Sequence, residues 1–243
     1  MKCRTPATFA LLCGLAGTLL TTNQAHSEDS LPKAPSASVK ATSSQPAVPL
    51  LIRNDHGPAA RVILDVPDGT AIELKQLRFR LAGTDIASDI ESLRLFSTGE
   101  KPEFSPASPL GEAVPPAEEL TFHVDQTLKA GRHHFWLGCR LKSTADLSHW
   151  IAAAGVAAET SAGRVSISDE TPDFRHRIGI AVRKHNDDGV HTYRIPALTT
   201  SAKGTLLMAY DMRRRTGRDL QEDIDIGLSR STDGGETWEP ARV

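Results

Sequence analysis

Cysteine, tyrosine and long apolar runs are all scarce in this chain of 243 residues, and each scarcity closes off a class of protein. Of three cysteines, Cys3 and Cys13 lie in the first thirteen residues and only Cys139 stands further on. A lone cysteine after the leader excludes a disulfide framework. No run beyond the N-terminal segment approaches the roughly 20 apolar residues that a spanning helix needs, so no membrane span is expected. Net charge is −2 with 24% charged residues, which leaves no basic surplus for nucleic acid. Tyr193 and Tyr210 are the only tyrosines, and both sit in apolar strand-like runs where packing accounts for them. Metal ligands are no better supplied. His133 and His134 have no third ligand at metal spacing. The acidic run HNDDGVH (185–191) fails the spacing of a calcium loop and reads as a turn.

The N-terminus carries the pattern of an exported protein. Lys2 and Arg4 precede an apolar stretch from Ala7 to Leu20, and Ala25-His26-Ser27 offers a small–x–small cleavage site before Glu28. A lipoprotein site at Cys13 fits less well, because a large leucine stands just before it. Residues 1–27 therefore read as a signal peptide, and its removal takes the net charge from −2 to −4. The mature chain is expected to be secreted or periplasmic. Residues 28–48, rich in Ser, Ala and Pro, read as a flexible linker, the alternative being an ordered arm along the next domain.

From residue 49 the pattern changes to short strand-like runs: ARVILDV, AIELKQLRFRLA, SLRLFS, LTFHVD, HHFWLGCRL and RVSIS. Ile72, Leu74, Leu77, Phe79 and Leu81 mostly alternate with polar residues, the mark of strands with one buried face. Six such runs in about 120 residues favour a β-sandwich over 49–172. DLSHWIAAAGVAAE (146–159) reads as a short helix or turn, and of Phe135 and Trp136, a candidate sugar-stacking pair, at least one should be core. After DETPDF a second block spans 173–243. RIGIAVR leads in, followed by YRIPALTT, TLLMAYDM, IDIGLSRS and TWEPARV, four strands in meander order like a β-propeller blade. One blade cannot bury its faces alone, since propellers take about four to eight.

Two motifs in the second block carry more information. STDGGETW, Ser231 to Trp238, fits S-x-D-x-G-x-T-W: Asp233 accepts backbone N–H groups across the turn, Gly235 takes a positive φ, and Trp238 packs over it. This pattern resembles the Asp-box, in which Ser231, Asp233, Gly235, Thr237 and Trp238 staple a turn and do no chemistry. Arg194 in YRIP lies 37 residues before Ser231. Together with GTLLMAYDMRRRTGRDLQEDIDIGLSRSTDGGETW, the stretch 178–243 resembles the opening blade of a bacterial secreted exo-α-sialidase (neuraminidase). The preceding sandwich resembles the lectin-like N-terminal domain of some members.

The resemblance implies an all-β chain with a lectin-like β-sandwich, followed by the first blade of a truncated six-bladed propeller. It implies retaining hydrolysis of terminal sialic acid from sialylated glycoproteins, glycolipids or oligosaccharides, with no cofactor and no metal. Arg194 matches the first of three arginines that clamp the sugar carboxylate, a task suited to a permanently charged fork. Arg213 matches an arginine that contacts the 4-hydroxyl, with Arg214 and Arg215 as neighbours in the same basic run. Asp219 matches the general acid/base, with Glu222 and Asp223 as competitors. Strand parity agrees with this division: alternate strands bring Arg194, Arg213 and Asp219 to one end of the blade and the Asp233 turn to the other. The family's nucleophilic tyrosine, its glutamate partner and the remaining clamp arginines belong to later blades, so the chain alone is expected to be inactive. The rival expectation is a non-catalytic carbohydrate-binding protein, because Asp-boxes also occur outside enzymes.

Overall fold

Strand-forming sequence is organised into two sheets of very different size. The computed structural model describes residues 38–219 and 222–243; the leader 1–27 and the first part of the expected linker lie outside the described residues. The larger sheet contains β1 (Lys40–Ser44), β2 (Leu50–Ile52), β3 (Gly57–Gly83), β4 (Ile90–Gly99), β5 (Pro109–Val114), β6 (Glu119–Leu141), β7 (Trp150–Thr160), β8 (Gly163–Ser166), β9 (Ser168–Asp169) and β10 (His176–Ile180). A four-residue helix, α1 (Ile86–Asp89), precedes β4. The smaller sheet is the antiparallel set β11 (Thr192–Thr200), β12 (Leu206–Arg213) and β13 (Ile224–Ser231).

The sandwich arises because β3 and β6 are long enough to serve both layers. Their pairing runs from Gly57↔Cys139 to Val66↔Gly131, breaks, and resumes from Ala71↔Lys129 to Arg80↔Glu119. At the break Gly69 takes a φ of 72°, which costs glycine nothing. The first half of β3 has β1 on its other edge and the second half has β7, so one bent ribbon passes between two sheets. The inner faces meet where a Cβ at Gly155 would collide with Val62. Between them lie Leu64, Leu74, Leu77, Phe79, Leu93, Phe135, Leu137 and Ile151, all essentially inaccessible. At about 2 kcal/mol for each buried large aliphatic or aromatic side chain, this is the main source of the fold's stability. The interruption in alternation between Leu74 and Leu77 is a bulge: both ladders of β3 shift register between Leu74 and Gln76, which returns Leu77 to the buried face.

Several expectations are corrected here. Residues 40–44 are not linker but strand β1, held by side chains that the polar composition concealed. Ser43 Oγ accepts from Gly155 N at 2.8 Å and Gln45 Oε1 from Ala153 N at 3.0 Å, satisfying backbone donors of β7. The alanine-rich run 150–160 is strand β7 rather than helix or turn, its small residues allowing close approach to the facing layer. Phe135 and Trp136 are both buried, so the pair presents no open stacking platform. His133 and His134 do alternate, with His134 buried and its pKa lowered first by that burial.

The boundary also moves. RIGIAVR does not lead into the second block: β10 pairs in parallel with β2, Ile178 opposite Leu50, and antiparallel with β7, His176 opposite Ile151. The sandwich therefore extends through Ile180, beyond the expected end at 172, and the propeller-type part begins after it. The expected fourth strand TWEPARV is reduced to a single bridge between Leu228 and Arg242. The protein is thus an all-β chain, a sandwich followed by the first strands of a propeller blade.

Candidate functional site at the open end of the blade

The register of the small sheet sorts the motif residues to its two ends. Thr192, Arg213 and Ile224 lie side by side at one end, and Thr200, Leu206 and Ser231 at the other. At the first end Arg194 faces Asp211 across the ladder, immediately before a bulge that runs to Ala197. Ile195 takes a φ of 52° within that bulge. Pro196 falls in it too, on an edge strand, where its missing N–H breaks no ladder bond.

The loop after β12 brings Asp219 back over this end. Asp219 Oδ2 lies 3.8 Å from Arg194 Nη1, and Asp219 Oδ1 bonds Arg213 Nη2. Arg213 Nη2 also lies 3.2 Å from Asp211 Oδ2. Both arginines reach one carbonyl, Gly217 O, at 2.8 Å from Arg213 and 3.5 Å from Arg194. The three predicted residues Arg194, Arg213 and Asp219 are therefore brought together. The two arginines differ in access: the Arg213 side chain is 1% exposed, with Nε buried and no acceptor for it among the described residues, whereas Arg194 is 46% exposed. An exposed guanidinium at the end of the sheet suits capture of an anion from solvent. The neighbours in the basic run are engaged elsewhere, Arg214 with Asp225 at 2.6 Å and Arg215 with Asp223 at 3.5 Å.

The tyrosines point away from this cluster. Tyr193 donates to Asp187 O at 2.9 Å, and burial, with the nearby Asp188 carboxylate, pushes its phenol up to about 12. The Tyr210 hydroxyl is 2.6 Å from Ser229 Oγ, and the two rings stack edge-on with centroids 5.3 Å apart. Behind them Arg183, unremarkable in the sequence, is the blade's central donor. Its Nε donates to Tyr210 OH at 3.0 Å, Nη1 to Val182 O at 2.7 Å, and Nη2 to Glu239 O at 2.8 Å and to Ser229 Oγ. Asp211 carried no signal in the sequence either: the register from Thr200↔Leu206 to Ala197↔Ala209 would set Met212 opposite Arg194, and only the bulge between Arg194 and Ala197 brings Asp211 there.

The opposite end holds the Ser231–Trp238 turn. Ser231 Oγ donates to Asp233 at 2.7 Å, Gly235 N donates to Ser231 Oγ at 2.9 Å, and Thr237 donates to Asp233 through both N and Oγ1. Those Thr237 bonds hold the Asp233 carboxyl far below the usual carboxylate range. Gly235 has a φ of 100°, and Trp238 Nε1 donates to its carbonyl at 3.0 Å. Asp233 is itself exposed, and its carboxylate accepts its hydrogen bonds from Ser231 and Thr237 within the turn.

A sandwich that hands over to a blade with basic and acidic groups at one end defines a protein of the sialidase architecture. The model of a family described as the N-terminal domain of BNR-repeat neuraminidase matches residues 36–162, more than half of the chain. The chain belongs to that family. It is 33% identical to a sialidase of Bacteroides fragilis over 195 residues, covering 75% of this chain and 36% of that protein. A sialidase of Micromonospora viridifaciens is 48% identical over 56 residues, 23% of this chain and 8% of the relative. Among solved structures, Hadza microbial sialidase Hz136 superimposes with a TM-score of 0.68 and 28% identity, covering 83% of this chain and 43% of that one. The chain thus spans about a third of the Bacteroides relative's length.

Proposed function

We propose that this chain supplies the accessory sandwich and opening blade of an exo-α-sialidase that releases terminal sialic acid from glycoconjugates with retention. The observation that carries the reading is the meeting of Arg194 and Asp219 at one end of the blade, 3.8 Å apart and both open to solvent. Arg194 takes the carboxylate of the sugar, its charge fixed at any working pH. Asp219 protonates the departing glycosidic oxygen and then deprotonates the incoming water. Arg213 lies buried behind them and bonds Asp219, so it serves that carboxylate rather than meeting the sugar from solvent. The Ser231–Trp238 turn is read as an Asp-box. Neither tyrosine of the chain faces the cluster, so the nucleophile of a tyrosine-dependent sialidase comes from outside these 243 residues.

The 243-residue chain on its own is expected to release no 4-methylumbelliferone from its sialoside. A chimera continuing it with the corresponding remainder of the Bacteroides fragilis sialidase should turn the substrate over, and Asp219→Ala should remove that activity. A chimera that folds, by its thermal unfolding transition, yet stays inactive would sink the proposal. So would Asp219-dependent turnover by the isolated chain. Export is part of the same proposal, resting on the Lys2/Arg4 and Ala25–Ser27 pattern. N-terminal sequencing of secreted material should begin at Glu28, and retention of Met1 in the mature protein would overturn it.

A further inference from the structure

We propose that Asp211 is a positioning residue for Asp219, acting through Arg213 as a strut. The inference rests on the reading of Asp219 as the acid/base group. Asp211 stands directly opposite Arg194 in the β11–β12 ladder, and its carboxylate lies 3.2 Å from Arg213 Nη2. The same nitrogen bonds Asp219, while Nη1 donates to Gly217 O at 2.8 Å. One planar guanidinium therefore touches the strand through Asp211, the loop backbone through Gly217 and the loop carboxylate through Asp219. Charge-assisted bonds from a rigid fork fix direction as well as distance.

Burial separates this task from ligand capture. Arg213 is 1% exposed and Arg194 46%, so a ligand arriving from solvent meets Arg194 first. Asp211, Asp219, Arg194 and Arg213 form a quartet of two anions and two cations. A carboxylate ligand on Arg194 competes with Asp219 for that exposed guanidinium, and Arg213 is then the cation that keeps Asp219 in place. Arg213 ends the same strand, β12, so its backbone is already held by Thr192 and Ile224; what fixes the direction of its side chain is its second partner, Asp211, two residues earlier. Without Asp211 the partners of this buried guanidinium among the described residues would be Gly217 and Asp219, both of the loop.

The test uses the full chain and reads amide hydrogen exchange and the Arg213 Nε–H resonance by NMR. Asp211→Ala should speed exchange of amides 216–219 about tenfold or more, with the ladder amides of 207–212 changed by less than about twofold. It should also shift the Arg213 Nε–H signal. Asp211→Asn tests the charge without changing side-chain size, and serves if the alanine variant fails to fold. Asp211→Glu should recover part of both effects. Asp223→Asn, which removes the exposed Arg215 partner in the same region, should leave both readouts unchanged. Unchanged loop exchange and an unmoved Arg213 signal in Asp211→Ala or Asp211→Asn would overturn the proposal, as would an equal effect from Asp223→Asn. These readouts do not involve sialoside turnover, so their failure and that of the sialidase reading are separable.

Discussion

Replacing Arg183 with alanine should unfold the blade while leaving the sandwich standing. Arg183 is the common donor to four acceptors, Tyr210 OH, Ser229 Oγ, Val182 O and Glu239 O, and its side chain is only 9% exposed. Truncation does not orphan all of them equally. Tyr210 OH and Ser229 Oγ are 2.6 Å apart and can satisfy each other, and Val182 O keeps Arg53 Nη1 at 2.9 Å, whereas Glu239 O is left without a donor among the described residues. Leaving that one polar group unpaired costs about 1–3 kcal/mol. The long stem also packs beside the Tyr210 ring, with the guanidinium carbon 5.8 Å from its centroid. The expected loss is roughly 2–5 kcal/mol, since such contributions do not add. A small unit cannot absorb this, because the blade's buried apolar cluster is Val190, Tyr210 and Met212. Hydrogen exchange resolved by peptide is the assay. Peptides covering β11–β13 should lose protection in Arg183→Ala while those covering β3, β6 and β7 keep it. Equal loss across both sheets, or none in the blade, would refute the view that Arg183 holds the blade together.

Two further outcomes follow from the sandwich. His149 Nδ1 lies 2.9 Å from Asp89 Oδ2, a carboxylate 1% exposed, and that hydrogen bond is the main cause of a His149 pKa raised above its ordinary 6.5. A raised pKa means that protonated His149 favours the folded state. The stabilisation is fully present below pH 6.5 and fades as the pH rises through the higher folded value. Thermal unfolding across pH 5–9 should therefore show a gap between the wild type and His149→Gln at the acid end that closes toward the alkaline end; a gap that widens with pH would contradict the assignment. Gly155→Val should cost about 1–3 kcal/mol by overpacking, because the added side chain meets Val62 and Ile167 across the layers. Urea midpoints would measure it, and an unchanged midpoint would show that the layers do not meet there.

How far the sequence reaches is clear from particular residues. The alternation of Ile72, Leu74, Leu77, Phe79 and Leu81 marks a half-buried strand, and all five are buried. Its flaw between Leu74 and Leu77 already contains the bulge, because a period of two tolerates a change of face only where an extra residue is inserted. The residues of the candidate site were legible for a similar reason. Once YRIPALTT, TLLMAYDM and IDIGLSRS are consecutive antiparallel strands, joined by a short turn and then by the loop 214–223, parity alone assigns Arg194 and Arg213 to one end and Ser231 to the other.

Long-range partnership was not legible. Ser43 and Gln45 look like linker, since a polar side chain declares no partner until β7, more than 100 residues on, brings its N–H groups alongside. RIGIAVR has the same strand pattern whichever sheet it joins, and only its pairing with β2 and β7 assigned it to the sandwich. The unequal exposure of Arg194 and Arg213, on which the division between ligand capture and support rests, is likewise tertiary: both are arginines near strand ends, and the loop carrying Gly217 and Asp219 closes over one of them. Local period and chemical type set the strands, the turn and the residues available to the site, because those depend on neighbours in the chain. Which sheet a strand joins and which charge is covered depend on contacts between distant segments, and the tertiary structure decided both.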